Sequence, residues 1–421
     1  MSRSPLLEIR DALTEALDGR RVSDGDSERD LHAADLTFHA PSRPDLVVYA
    51  VSTDDVVRVL TLAQEHRVPV TPFGAGTSLE GHVIPVAGGI SLDLTRMDRI
   101  VEISPGDLLA VVQPGVTRNA LNRAAGPHGL MFPVDPGADA TLGGMAATNA
   151  AGTTTPRYGK MRPNVLALEA VLPGGRVIRT GSQAVKTSAG YDLTGLLVGS
   201  EGTLGVITEL TLRLHGIPEH AVAMRISFPT VAAASRTAVS AMAAGVGVTR
   251  LELLDALNVR AMNTASGTDY VESPCLFVEA AGTAESVEGD LELIRGLAEV
   301  EGATQLAYER EPEARSRLWA ARHNIAYSWA HLLPGRRHRA TDVCVPLSEL
   351  PAAAAVAETE IARRGLQAGI LGHVGDGNLH VGAMLDPESP TDAEAFEELS
   401  RVLVADALAR GGTCTGEHGI G

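Results

Sequence analysis

The stretch RVPVTPFGAGTSLEGH, from Arg67 to His82, decides the fold of the N-terminal half of the chain. Residues that favour strands run up to Phe73, and a glycine-rich loop follows, as in loops that bind a dinucleotide or a phosphate. Two common templates do not fit. A Rossmann loop needs a third glycine and then a helix, whereas Leu79 stands at the glycine position, and Gly81 and Pro85 prevent the helix. A P-loop needs a Gly-Lys-Ser/Thr sequence, and no lysine is near.

The loop instead fits a nest, in which successive backbone N–H groups point inward at an anion. Gly74 and Gly76 permit the backbone conformations that a nest requires, and Thr77 and Ser78 add hydroxyl donors suited to a pyrophosphate. Taken alone, the loop supports phosphate binding and an ordinary turn equally.

Two further loops of small residues lie in the same half of the chain, DPGADATLGGMAATNAAG at 135–152 and VGSEGTLGVIT at 198–208. Small residues let a flat ligand lie against the backbone, but they are also typical of closely packed helices. Three such loops in one domain favour a large, elongated cofactor. Strands DLVVYAVS and RVPVTPFG are predicted on either side of a helix from Thr53 to His66, with Thr53 or Asp54 as its N-cap.

The sequence changes character after HGIPEHA, so we predict a domain boundary at Gly216 to Pro218. Beyond it, alanine-rich helices alternate with strands, and RLELLDALNVRAMN at 250–263 is predicted to be one of the helices. A last helix within residues 392–412 is expected to end at Gly411, a C-cap glycine. The length of 421 residues agrees with two or three domains, each with its own core.

The composition excludes several classes of protein. The net charge of -17 argues against a nucleic-acid partner, which clustered Lys and Arg would bind. Cys275, Cys344 and Cys414 are too widely spaced for a disulfide framework, a zinc ribbon or an iron–sulfur cluster, and they favour a reducing, cytoplasmic location. The N-terminal segment predicts an amphipathic helix without a signal-peptide core, and no window is apolar enough for a transmembrane segment.

The segment GHVGDGNLH, from Gly372 to His380, predicts a β-hairpin, because Asp-Gly is a strong signal for a two-residue turn. Such a turn would pair His373 directly with His380 on one face of the hairpin. It would also turn Val374 and Leu379 into a core on the other face. The two imidazoles could share a metal ion, although an isolated pair more often makes hydrogen bonds to carbonyl or carboxylate groups.

Other polar residues could complete a site with these histidines. CTGEHGIG, at 414–421, offers Glu417 as a carboxylate ligand and His418 as a group that handles a proton. Three protein ligands would leave one metal position open, as a catalytic metal requires. Arg322, in LWAARHN, would suit a substrate carboxylate, and a solvated helix residue is the alternative interpretation. Asp342 and Asn378 are candidate supporting groups.

Seven segments in a fixed order carry a resemblance to a known family. They are VTPFGAGTSLEGHVIPVAGGISLDLTRMDRI, HGLMFPVDPGADATLGGMAATNAAGT, RYGKMRPNVLALEAVLPGG, KTSAGYDLTGLLVGSEGTLGVITE, TDVCVP, GHVGDGNLH and GTCTGEHGIG. These segments resemble those of the FAD-linked 2-hydroxy acid dehydrogenases of the vanillyl-alcohol oxidase superfamily. That family includes cytochrome-type D-lactate dehydrogenases, glycolate oxidases and D-2-hydroxyglutarate dehydrogenases. The resemblance covers nearly the whole chain from Leu46 onward.

The resemblance implies an α+β protein in which residues 1–218 form a two-subdomain FAD-binding domain and residues 219–385 form a ferredoxin-like α+β cap domain for the substrate. Residues 386–421 would form a helical segment that returns to the FAD domain, and the chain would stop short of a further segment found in relatives. The GAGTS loop would bind the pyrophosphate of FAD, and the other two loops would surround the flavin. The implied cofactor-binding residues are Gly74, Ala75, Gly76, Thr77, Ser78, Pro136, Gly137, Thr141, Gly144, Thr148, Gly152, Glu201, Gly202 and Ile207.

The same resemblance assigns His373, His380 and Glu417 to a divalent metal, zinc or manganese, His418 to the catalytic base and Arg322 to the substrate carboxylate. The implied reaction oxidises a D-2-hydroxy acid, D-lactate in the first place, to the 2-oxo acid, with hydride transfer to the flavin. Glycolate and D-2-hydroxyglutarate are alternative substrates. A flavin-dependent transferase of the same superfamily, a metallohydrolase and a binding protein are alternative functions. The electron acceptor stays open between a cytochrome, a quinone and a flavoprotein, as do a homodimeric state and peripheral attachment to a membrane.

Overall fold

The computed structural model describes residues 5–421, which form two compact units. Unit 1 contains the chain up to residue 151, residues 159–217 and residues 417–421, and unit 2 contains residues 152–158 and 218–416. Residues 1–4, with which the predicted N-terminal helix begins, lie outside the described part. Within residues 5–421, no helix is both long enough and apolar enough to cross a membrane.

The N-terminal half of the chain contains eight helices between residues 5 and 197, of which α6 belongs to unit 2. They are α1 (Pro5–Ala16), α2 (Asp26–Leu31), α3 (Thr53–His66), α4 (Arg118–Ala125), α5 (Leu142–Thr148), α6 (Thr155–Tyr158), α7 (Met161–Asn164) and α8 (Leu193–Leu197). The strands of unit 1 are β1 (Val22–Ser23), β2 (Leu46–Tyr49), β3 (Val70–Phe73), β4 (Ile90–Asp93), β5 (Ile100–Ser104), β6 (Leu109–Val112), β7 (Leu130–Met131), β8 (Val165–Val171), β9 (Val177–Gly181), β10 (Val206–Arg213) and β11 (His215–Gly216). Short 3-10 helices cover Gly19–Arg21 and Gly126–His128.

Unit 1 is built on two main sheets, each with its own hydrophobic core. In the first sheet, with order β1-β2-β4-β3, strands β2 and β3 both pair in parallel with β4. The second sheet has the order β5-β6-β10-β8-β9 and is antiparallel throughout. Strands β7 and β11 form a separate antiparallel pair. The predicted division into two subdomains, each with helices and a sheet, is confirmed.

Helix α3 supplies the crossover between the parallel strands and spans the predicted residues Thr53–His66, but its N-cap differs from the predicted one. Ser52, not Thr53 or Asp54, is the N-cap, because Ser52 and Asp55 form a reciprocal capping box. The Asp55 N–H donates to Ser52 Oγ (3.3 Å), and the Ser52 N–H donates to Asp55 Oδ2 (3.1 Å). The N-cap is therefore the residue at which both donors are satisfied, one residue before the first of the two predicted caps.

Unit 2 alternates helices and strands from residue 220 to residue 409. Its strands are β12 (His220–Ser227), β13 (Val248–Leu254), β14 (Cys275–Gly282), β15 (Gln305–Glu309), β16 (Arg337–Ala340), β17 (Val343–Cys344), β18 (Ala368–His373) and β19 (Asn378–Leu385). Its remaining helices are α9 (Val231–Ala243), α10 (Ala256–Ser266), α11 (Ala284–Val300), α12 (Pro312–His323), α13 (Ile325–Leu332), α14 (Leu350–Arg364) and α15 (Pro390–Ala409), with a 3-10 helix at Leu347–Glu349. Helix α15 ends just before Gly411, which adopts the predicted left-handed conformation (φ 81°).

The sheet of unit 2 contains the predicted ferredoxin-like arrangement and extends it. Strands β15-β12-β14-β13 are adjacent in that order and antiparallel, with α9 between β12 and β13 and α11 between β14 and β15. Strands β18, β19 and β16 continue the same sheet beyond β13, and β17 pairs with β19. The predicted helix at 250–263 is partly wrong, because its first residues lie in β13 and only the remainder forms α10.

The hairpin of β18 and β19 has a different register from the predicted one. His380 pairs with Leu371, so His373 is not its direct partner, and residues 374–377 form a four-residue loop. Gly377 alone in this loop has a positive φ (83°), whereas a two-residue type I′ turn needs positive φ at both central residues. A shift by two residues keeps every side chain on its face, so Val374 still lies in the core, 0% exposed.

Candidate functional site

The three predicted glycine loops lie together in unit 1. A Cβ atom at Gly74 would lie 2.5 Å from Thr141 Oγ1, and one at Gly202 would lie 3.2 Å from Pro72 Cγ. The first approach joins the GAGTS loop to the second loop, and the second joins strand β3, which leads into the GAGTS loop, to the third loop. Gly202 also has a φ of 75°, which favours glycine. Gly74 and Gly202 therefore lie where a side chain would collide with a neighbouring segment.

Helix α5 holds the second and third loops together. The N–H groups of Gly199 and Glu201 donate to the carbonyl groups of Ala146 and Ala147, both at 2.9 Å. The Thr148 hydroxyl donates to the carbonyl of Gly144 within the helix (3.2 Å). Carbonyl groups of α5 thus hold the SEGTLG segment in place, whereas the Thr148 hydroxyl makes its hydrogen bond within α5.

The other predicted cofactor residues occupy varied surroundings. Ile207 is 6% exposed, its side chain packs in the core, and it pairs with Ala170 on the neighbouring strand. Ala75 and Gly137 are exposed, whereas Gly76, Thr77, Ser78 and Pro136 are half-buried. Gly152 belongs to unit 2, where its N–H donates to Thr155 Oγ1 (3.1 Å).

Glu201 holds the last residues of the chain within unit 1. Its two carboxylate oxygens accept from the N–H groups of Ile420 (2.9 Å) and Gly421 (3.0 Å). His82 Nε2 lies 3.2 Å from the same carboxylate. The Glu201 side chain therefore anchors this segment.

His418, the predicted base, contacts an acid that the sequence did not single out. His418 Nδ1 lies 3.2 Å from Glu80 Oε1, and both residues belong to unit 1. A carboxylate at Nδ1 favours the tautomer with the proton on Nδ1, so that Nε2 carries the lone pair. Glu80 directly follows the GAGTSL segment and lies two residues before His82. This position was the only local indication in the sequence that Glu80 belongs to the site.

His373 and His380 form a buried pair on one face of the unit 2 sheet. They are 8% and 5% exposed, and their ring centroids lie 5.6 Å apart with planes at 88°. His373 Nδ1 lies 2.8 Å from Glu252 Oε1, and His380 Nδ1 lies 3.0 Å from the carbonyl oxygen of Thr341. Each ring therefore has an acceptor at Nδ1, which favours a lone pair on Nε2, the arrangement seen in metal-binding histidines.

Arg322 lies on α12, which packs on the same face of the sheet through Leu318, Trp319 and Ala321. The residue is 4% exposed, so the solvated-helix interpretation is wrong. Its Nη2 donates to Glu252 Oε2 (2.5 Å), and its buried Nε has no hydrogen-bond partner among the described residues. A buried guanidinium with an unsatisfied donor fits an anionic ligand, because that donor otherwise costs desolvation energy.

Asp342 connects the β19 strand to the chain that leads into Glu417. One carboxylate oxygen accepts from Asn378 Nδ2 (2.8 Å), and the other accepts from Thr415 Oγ1 (2.6 Å) and the Gly416 N–H (2.8 Å). His380 Nδ1 lies 3.6 Å from the first of these oxygens. Glu417 follows Gly416 in the chain, so the Cα atoms of the two residues are about 3.8 Å apart.

Glu252 is the residue of this site that sequence reasoning missed. It lies on β13 and is 0% exposed, with one oxygen at His373 and the other at Arg322. Residues 250–263 are predicted from the sequence to form a helix, and a helix would not pair Glu252 with His373 on an adjacent strand. Two charged residues, Arg250 and Glu252, at alternate positions of an otherwise apolar segment were the signal for a polar strip on a strand.

Comparison with known proteins places the chain in a family. Residues 44–181 match the FAD binding domain, and residues 217–421 match the C-terminal domain of FAD linked oxidases. The chain is 43% identical to a probable mitochondrial D-lactate dehydrogenase of Danio rerio, covering 95% of this chain and 81% of the relative. It is 41% identical to the mitochondrial D-lactate dehydrogenase (cytochrome) of Arabidopsis thaliana, with 91% and 68% covered. It is 34% identical to glycolate oxidase subunit GlcD of Bacillus subtilis, with 98% and 88% covered.

Solved structures share the fold at low sequence identity. p-Cresol methylhydroxylase has a TM-score of 0.81 at 17% identity, covering 99% of this chain and 90% of the other. Alkyldihydroxyacetonephosphate synthase has a TM-score of 0.79 at 20% identity, with 97% and 80% covered. These values establish the fold alone.

The chain belongs to the FAD-linked oxidase family that contains the D-lactate dehydrogenases and the glycolate oxidase subunit, which confirms the resemblance. The domain match in unit 1 makes FAD the cofactor. The cytoplasmic location stays a prediction, and two of these relatives are mitochondrial by name.

Proposed function

We propose that the protein oxidises a D-2-hydroxy acid, D-lactate before glycolate or D-2-hydroxyglutarate, to the 2-oxo acid. FAD-dependent oxidation of 2-hydroxy acids is the activity that its family membership supports. One observation carries the assignment of the substrate site, namely the buried Arg322 with an unpartnered Nε beside the His373 and His380 pair. A small acid with a carboxylate and a neighbouring hydroxyl matches a guanidinium next to two imidazoles.

Arg322 binds the substrate carboxylate in this proposal. Glu252 takes the Nη2 donor of the guanidinium, and Nε is the donor that lacks a partner among residues 5–421. A buried arginine orients a carboxylate by charge and by the fixed directions of its N–H groups. Arg322 thus fixes which hydrogen of the substrate faces the flavin, which is a positioning effect.

His373, His380 and Glu417 are the proposed ligands of a divalent metal, zinc or manganese. Two imidazoles and a carboxylate are a donor set that both metals accept. The acceptors at both Nδ1 atoms support this fit, because they favour lone pairs on Nε2. When bound, such a metal supplies a Lewis acid that lowers the pKa of the substrate hydroxyl.

His418 is the proposed base that accepts the hydroxyl proton. The Glu80 carboxylate near its Nδ1 supports the role, because it would favour Nε2 as the basic atom and stabilise the imidazolium that forms. FAD, held by the three glycine loops of unit 1, supplies the hydride acceptor. The acceptor that reoxidises FAD is proposed to be a cytochrome, as the name of the Arabidopsis relative indicates.

Anaerobic titration of the bound flavin tests the proposal. We expect D-lactate to bleach the flavin absorbance stoichiometrically, with L-lactate inactive and with glycolate and D-2-hydroxyglutarate slower. A preference for glycolate would move the assignment to the alternative substrate of the same family. Flavin that stays oxidised with every 2-hydroxy acid would rule out the proposed function.

A further inference from the structure

Glu252 lies at the centre of the unit 2 sheet, paired with Phe277 on one side and His373 on the other. Its carboxylate is 0% exposed, and a buried carboxylate is tolerated only where partners replace water. The partners are specific, because His373 Nδ1 lies at Oε1 (2.8 Å) and Arg322 Nη2 lies at Oε2 (2.5 Å). One carboxylate therefore holds two side chains that come from different elements, β18 and α12.

Each of these two contacts has a chemical consequence. A carboxylate at Nδ1 of an imidazole fixes the tautomer and the ring orientation, and it makes Nε2 a better metal ligand. A carboxylate at Nη2 occupies one donor of the guanidinium and so fixes the direction of the remaining donors, Nε among them. Because both contacts use the same carboxylate, a displacement of Glu252 changes both orientations together.

We infer that Glu252 is a positioning residue with two simultaneous effects. It orients the His373 ring to bind the metal, and it orients the Arg322 guanidinium to bind the substrate carboxylate. This inference rests on the proposed function, because it takes His373 as a metal ligand and Arg322 as the substrate arginine. It adds a residue that touches neither the metal nor the substrate. The metal and the substrate carboxylate are thereby coupled through one side chain.

Glu279 provides a matched control on the same sheet. Its Oε1 accepts from Arg250 Nη1 (3.1 Å), and its Oε2 accepts from Trp319 Nε1 (2.7 Å). It is thus a buried carboxylate that accepts from one arginine and one aromatic N–H, as Glu252 does, with an exposed fraction of 7%. A merely structural role of buried carboxylates in this sheet would show equally at Glu279.

The test compares Glu252→Gln with Glu279→Gln in the FAD-loaded protein after its metal is removed by a chelator. In Glu252→Gln one of the two carboxylate oxygens becomes an NH2 group, so either His373 or Arg322 faces a donor in place of its acceptor. We expect Glu252→Gln to bind Mn²⁺ alone about 10- to 100-fold more weakly in calorimetric titration, and its KM for D-lactate to rise. Glu279→Gln is expected to keep the Mn²⁺ affinity of the wild type.

A third variant keeps the experiment decisive if Glu252→Gln folds poorly. Glu252→Asp retains the charge and both acceptors but withdraws them by one methylene, so the inference expects a Mn²⁺ affinity below that of the wild type. Wild-type Mn²⁺ affinity in both Glu252 variants would overturn the inference, as would equal losses at Glu252 and Glu279. Wild-type protein that binds Mn²⁺ but is not reduced by any 2-hydroxy acid would overturn the proposed function and leave the metal-positioning role standing. Wild-type protein that binds no Mn²⁺ would overturn the inference, whereas the proposed function is decided by the flavin titration.

Discussion

The rings of His373 and His380 lie with their centroids 5.6 Å apart and nearly perpendicular, on the face of the unit 2 sheet that also carries Glu252. The two residues are diagonal neighbours, since His380 pairs with Leu371. Diagonal positions on adjacent strands bring long side chains within reach of each other. The arrangement gives two imidazoles whose Nδ1 atoms are fixed by separate partners.

His418 is expected to act as the base in proton transfer and not to contribute to substrate binding. His418→Gln should slow reduction of the bound FAD by D-lactate about 10²- to 10⁴-fold, the usual contribution of a general base. Stopped-flow reduction under anaerobic conditions measures this rate, and Mn²⁺ content is expected to stay at the wild-type level. His331→Gln, an exchange at an exposed helix residue, is the control. A normal rate in His418→Gln would mean that another group is the base.

Gly74 is expected to tolerate no side chain. A Cβ atom there would lie 2.5 Å from Thr141 Oγ1, a contact that real Cβ atoms do not make, so the loops would have to move apart. We expect Gly74→Ala to weaken FAD binding by about 1–3 kcal/mol, or roughly 5- to 150-fold. Titration of the apoprotein with FAD checks this. Gly106→Ala, where nothing lies within 4 Å of the added Cβ, should bind FAD normally. Unchanged affinity in Gly74→Ala would contradict the placement of the loops.

The buried His32 makes the stability of unit 1 depend on pH. Burial lowers the pKa of His32, but hydrogen bonds to Asp93 Oδ2 (2.9 Å) and to the Glu28 carbonyl (2.7 Å) outweigh this, so its pKa lies above the ordinary value. A raised pKa in the folded state stabilises the protein fully below the unfolded pKa of about 6.5, and this contribution is lost as pH rises through the folded pKa.

Urea unfolding at several pH values tests this dependence. His32→Gln should lower the free energy of unfolding more at pH values below about 6 than at values above about 8. His39→Gln, at an exposed position, is the control. A loss of stability in His32→Gln that is the same at all pH values would show that the protonated form of His32 contributes nothing.

Local patterns predicted much of the fold but little of the long-range pairing. Helix α3, the strands beside it and the glycine loops follow from hydrophobic periodicity and glycine spacing within about twenty residues. The face on which both hairpin histidines lie was also predicted, because a register shift of two preserves faces. The register itself was not predicted. Asp-Gly favours a two-residue turn, whereas the hairpin has a four-residue loop in which Gly377 alone adopts a positive φ.

Glu252 shows why the rest of the candidate site was not predictable. Its partner His373 lies 121 residues further along the chain, and no local pattern reports such a pairing. Strand β13 is buried on both faces, and Leu253, Leu254 and Leu257 also fit helical spacing, so the alternation of Arg250 and Glu252 did not decide between a strand and a helix. The burial of Arg322 likewise comes from packing of α12 on a sheet whose strands are distant in sequence.

The most direct test of the account is the single-turnover reduction of bound FAD by D-lactate in the wild type and in Arg322→Lys, with Arg317→Lys as the control on an exposed face of the same helix. Lysine keeps the positive charge but loses the fixed fork of donors. The account predicts rapid reduction of the wild type and of Arg317→Lys. It predicts that Arg322→Lys needs about 10- to 100-fold more D-lactate for half-maximal rate, as expected for a lost charged hydrogen bond. An unreduced wild-type flavin, or Arg322→Lys with wild-type dependence on D-lactate, would contradict it.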